Sequence, residues 1–98
     1  MRLTAEEVAR IKRLVAETYG PRAVVWLFGS QLDDSRKGGD VDLMVEIDED
    51  ELDLSKEIRL KIALEEALGE RKVDLIVHRR GRREGPFVRI AKSEGVVL

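Results

Sequence analysis

Residues 26–46 read WLFGSQLDDSRKGGDVDLMVE, and the fold turns on whether this stretch is a polar hairpin or the frame of a site. On its left, Ala23 to Phe28 is a continuous apolar run rich in β-branched and aromatic residues, the pattern of a buried strand. On its right the residues alternate. Val41, Leu43, Val45 and Ile47 share one face; Asp40, Asp42, Met44 and Glu46 share the other. Between them, Gly29 to Gly39 is polar, and Gly38-Gly39 permits a tight turn. A connection this short predicts an antiparallel pair of strands.

Working outward, Thr4-Ala-Glu-Glu7 has the spacing of a capping box, and Val8, Ile11, Leu14 and Val15 recur at helical spacing behind it. A first helix is expected from about Ala5 to Tyr19, stopped by Gly20-Pro21. After the second strand, the acidic residues from Glu49 to Asp53 suit a helix start. Leu54, Ile58, Leu60, Ile62, Leu64, Ala67 and Leu68 then make a broad amphipathic helix that ends at Gly69.

Lys72 to His78 alternates again, with Val73, Leu75 and Val77 against Asp74, Ile76 and His78. The basic segment RRGRREG (79–85) leads to Pro86, a good first-turn residue, and to a short final helix carrying Phe87, Ile90 and Ala91. Val96 to Leu98 is a short strand or a packed terminus. The order α-β-β-α-β-α predicts one α+β domain spanning residues 1–98. Its second and third strands are parallel through a right-handed crossover, its mixed sheet carries helices on one face, and its aspartates lie on the other.

Composition narrows the chemistry. With no cysteine, disulfides and thiolate-zinc sites are excluded, and one histidine argues against a His-rich metal site or a Ser-His-Asp triad. The longest apolar run is too short to span a membrane, and a cytoplasmic protein is the expectation. Net charge is only −2, but it is unevenly placed: residues 46–57 are strongly acidic and residues 71–92 strongly basic.

Asp40 and Asp42 lie two apart on a strand, so both leave one face, about 7 Å apart. Asp74 occupies the same kind of face on the third strand. If the second and third strands are neighbours, three carboxylates converge, and a divalent cation resolves their repulsion. All-oxygen ligation suits Mg²⁺ or Mn²⁺. Gly29-Ser30 follows a buried strand, where the glycine lets backbone approach a phosphate and the Ser30 hydroxyl can donate to it. Arg36 and Lys37 are candidate further phosphate contacts.

LFGS, a nine-residue spacer, DVDLMVE and later KVDLIV together resemble the nucleotidyltransferase fold of the DNA polymerase β superfamily, most closely its minimal single-domain (MNT) members. Gly29, Ser30, Asp40, Asp42 and Asp74 fall on that group's motif positions, over roughly residues 5–78. The resemblance implies transfer of a nucleoside monophosphate, with ATP as the expected donor, to an acceptor hydroxyl. Asp40 and Asp42 would hold metal, Asp74 would ligate the catalytic metal and help deprotonate the acceptor, and Gly29 and Ser30 would hold the β- and γ-phosphates. It further implies an antitoxin of a toxin–antitoxin pair, acting on a HEPN-domain partner protein.

Two other readings stand beside it: a binding module that neutralises its partner by occlusion, and transfer to a small molecule or RNA. His78 reads as a satisfied or exposed histidine and Trp26 as core. The Arg79–Arg83 cluster reads as a surface loop, or otherwise as a contact for RNA, nucleotide or an acidic partner. With few aromatic residues, nucleic-acid binding by stacking is poorly supported. Oligomerisation is left open.

Overall fold

The computed structural model describes residues 3–29 and 39–98. Helix α1 spans Ala5–Tyr19 and opens with the expected capping box: the Glu7 amide donates to the Thr4 hydroxyl at 3.1 Å, and the Thr4 amide donates to the Glu7 carboxylate at 2.9 Å. Strand β1 is Val24–Phe28 and β2 is Val41–Ile47. They pair antiparallel, with Phe28 opposite Asp42. Asp40 thus sits one residue ahead of the strand that was expected to include it.

Helix α2, Leu54–Ala67, is capped by Asp53, whose side chain accepts from the Lys56 amide at 3.2 Å. It carries the chain back across the sheet to β3, Val73–Arg79, which runs parallel to β2. The junction is pinned from two sides. The Glu65 carboxylate accepts from the Val73 amide at 2.9 Å, and Arg71 pairs with Glu7 of α1. Helix α3, Pro86–Glu94, is followed by a two-residue strand β4, Val96–Val97, which pairs antiparallel with β1. The sheet order is β3-β2-β1-β4.

The face made by Val25, Leu27, Val41, Leu43, Val45 and Val73 buries Ile11 and Val15 of α1 and Leu60 and Leu64 of α2. This is the main core, and the alternation in the sequence assigns it correctly. The other face departs from expectation. It is not left to the aspartates, because Val88 and Ala91 of α3 pack on it against Phe28 and Met44, with Trp26 and Ile76 at the margin. Helices therefore lie on both faces. Met44 shares a face with Asp42 yet is fully buried, since α3 covers the middle of that face. None of the helices among the described residues is long and apolar enough to cross a membrane.

Candidate active site

The in-register parallel pairing of β2 and β3 sets Asp42 directly beside Asp74. In a parallel ladder, adjacent strands lie about 4.8 Å apart and paired residues leave the same face, so the two carboxyl groups have little room to separate. The Asp42 carboxyl is held above its ordinary range. Partial burial is the main cause, followed by the charge and hydrogen bond of Asp74 and then the charge of Asp40. Lys72 pulls the other way; its ammonium lies 3.8 Å from Asp74 Oδ1.

Gly29 closes the site from β1. Its φ is +78°, a conformation costly for residues with a side chain. A Cβ built there would collide with Asp42 Oδ2. The glycine is thus required twice, by backbone angle and by the carboxylate pressed against it. The turn leaving β1 can approach Asp42 only because nothing projects from that position.

Asp40, exposed just ahead of β2, adds its field to Asp42. Among the described residues, no three carboxylate or imidazole groups are gathered as a metal-ion site. The carboxyl groups form an Asp42–Asp74 pair with Asp40 near its margin. Ser30, Arg36 and Lys37 lie outside the described residues.

At the opposite end of the same face is a second polar group that the sequence reading did not assemble. Glu46 is buried and accepts from Lys92 Nζ at 2.6 Å, while its other contacts include His78 Nδ1 at 3.0 Å. His78 Nε2 faces the Arg82 and Arg83 carbonyls at 3.1 and 3.3 Å. Burial alone would raise the Glu46 carboxyl, but the hydrogen bonds from Lys92 and His78 outweigh it and hold it below its usual range. His78 is therefore a satisfied histidine, as the sequence suggested, and it helps seat α3. The one available signal was the pairing of Glu46 with His78 on the polar sides of two alternating strands.

The family model described as "Polymerase beta, Nucleotidyltransferase" matches residues 10–98, nearly the whole chain. No individual curated protein matches it.

Proposed function

The chain belongs to the polymerase β nucleotidyltransferase family, and from that premise we propose that it is a metal-dependent enzyme transferring AMP from ATP to a hydroxyl of a partner protein. The partner class is a HEPN-domain toxin, which places the chain as the antitoxin. The observation that carries the catalytic part is the Asp42–Asp74 pair set against a glycine that leaves its carboxylate uncovered.

The donor set fits a divalent cation. Asp42 and Asp74 offer oxygen ligands on adjacent strands, with Asp40 beside them, and the partial burial and neighbouring negative charge that raise the Asp42 carboxyl are what a bound cation would offset. When bound, Mg²⁺ or Mn²⁺ supplies charge neutralisation for the triphosphate and acidifies the attacking hydroxyl.

The protein's own groups divide the remaining work. Asp74 accepts the proton of the acceptor hydroxyl as its oxygen forms a bond to the α-phosphorus. The bond from that phosphorus to the β-phosphate's bridging oxygen breaks, and pyrophosphate carries the electron pair away. The bare Cα of Gly29 lets the Asp42 carboxylate lie against the chain where β1 ends, and Ser30, next in the sequence, is assigned to hydrogen-bond the phosphates. Lys72, whose ammonium lies 3.8 Å from Asp74 Oδ1, sets a positive charge beside the incoming phosphates.

The test uses Mg²⁺, labelled ATP and candidate helical partners. Label should pass to a partner protein with the wild type and fall at least about a thousandfold with Asp74→Asn, which removes the proton acceptor and a ligand together. Nucleotide binding should largely persist in that variant. Equal partner neutralisation by the wild type and by an Asp40→Asn/Asp42→Asn/Asp74→Asn triple variant would instead establish occlusion.

A further inference from the structure

The end of the sheet away from the aspartates carries two exposed patches of opposite sign. Just beyond β2, Asp50 and Glu51 are exposed, and among the described residues their carboxylates have no partner. Next to them Leu52 and Leu54 are 49% and 68% exposed, lining a hollow with Glu49 and Asp53. Beyond β3, Arg82, Arg83 and Arg89 are exposed, and among the described residues their guanidinium groups are likewise unmatched. Phe87 and Ile90, 63% and 41% exposed, stand out from the same helix start.

The patches are neighbours on opposite sides of the sheet. The Arg80 amide donates to the Ile47 carbonyl at 2.7 Å, the Arg79 guanidinium donates to the Asp50 carbonyl, and Arg80 pairs with Asp48. From this shared end, α2 begins at Leu54 on the face of the main core, and α3 begins at Pro86 on the other.

We propose that this end docks against a second copy of the chain, about a two-fold axis that sets each acidic patch on the other copy's basic patch. Two adjacent patches of opposite sign are self-complementary under such an axis, and the contact closes at two subunits. Each patch has large apolar side chains beside unmatched charge, the arrangement of an interface with an apolar centre and a polar rim. Opposite charges steer the encounter and fix which patch meets which.

A nucleic acid suits this end less well. Arg79 and Arg80 are engaged by Asp50 and Asp48, and a phosphate chain along Arg82, Arg83 and Arg89 would meet the field of Asp48, Asp50 and Glu51. The aspartate site lies at the other end of β2 and β3, so this docking does not depend on the proposed chemistry.

Sedimentation of the full chain tests it. The wild type should be a dimer in about 0.01 M salt and shift toward monomer in about 1 M salt, where screening is short-ranged. Asp50→Lys/Glu51→Lys and Arg83→Glu/Arg89→Glu should each be monomeric, with circular dichroism unchanged. Mixed in equal amounts they should form a one-to-one dimer, because both contacts are then again between opposite charges. If either reversal unfolds the chain, Arg83→Ala/Arg89→Ala should still weaken the dimer about tenfold or more. The proposal is overturned by a wild type that stays monomeric at every concentration and salt, by single variants that still dimerise, or by a mixture that does not associate. An association abolished by ribonuclease overturns it in favour of a polyanion.

Discussion

At the scale of single residues, Gly29 and Asp42 define one another. Gly29→Ala would force a side chain into Asp42 Oδ2 at a φ of +78°, costing about 1–3 kcal/mol and pushing the carboxylate out of place. Thermal unfolding should register the loss, and nucleotide transfer should fall further than stability does. Asp42→Asn should separate the two properties in the opposite sense. The folded protein holds a proton on Asp42 more tightly than the unfolded chain does, so in the window above the unfolded value of about 3.9 folding costs more as pH rises. Removing that carboxylate should stabilise the fold near neutral pH by up to about 1 kcal/mol while abolishing activity. Denaturant titrations across pH should show the gain disappearing in acid; a variant less stable than wild type at neutral pH would refute the account.

At the scale of elements, α3 is held by chemistry as well as by packing. Glu46, on β2, receives Lys92 of α3 and His78 of β3, so one buried carboxylate joins three elements. Its lowered acidity range means its contribution is present above the unfolded glutamate value of about 4.3 and is lost as pH falls through the folded value. Glu46→Ala leaves His78 and Lys92 facing an uncompensated gap and should cost about 2–4 kcal/mol, with a flatter acid limb in pH-dependent unfolding.

The same helix marks where sequence reading stopped. Helix α1 was legible to the residue because its capping box and apolar spacing agree, and β2 and β3 because alternation survives in both. Helix α3 is nine residues long and apolar on more than one side. Of the apolar set Phe87, Ile90 and Ala91, only Ala91 turns inward, joined by Val88 against Met44, while Phe87 and Ile90 stay exposed. So short a helix has no periodicity to decide between those faces; the closing β4 strand decides it. Gly95 passes so near the Leu27 carbonyl, 2.9 Å from where a Cβ would stand, that the chain is drawn down onto β1 there.

For the whole molecule, charge separated along the sequence becomes charge gathered at one end in space. The acidic segment after β2 and the basic segment after β3 are far apart in the chain, but parallel strands deliver their ends to the same place. Alternation and order alone disclosed the Asp42–Asp74 meeting, conditional on strand adjacency. They could not disclose the proposed docking end, because exposure of Leu54 or Phe87 depends on which helix faces are already occupied. The proposed salt-dependent assembly and the proposed chemistry at Asp74 thus sit at opposite ends of the same two strands and should respond to different substitutions.

The in-register ladder of β2 and β3 also sets the molecule's tolerance of error. Slipping β3 by one residue would exchange Val73, Leu75 and Val77 for Asp74, Ile76 and His78 on the core face. Misplacing Asp74 would therefore bury its charge and expose three apolar side chains, so a chain that folds at all folds with this carboxylate in position. The aspartate's charge adds to that fidelity, but Val73, Leu75 and Val77 would hold the register without it. Its neighbours enforce the address, and for that reason the residue can be replaced without the strand losing its place.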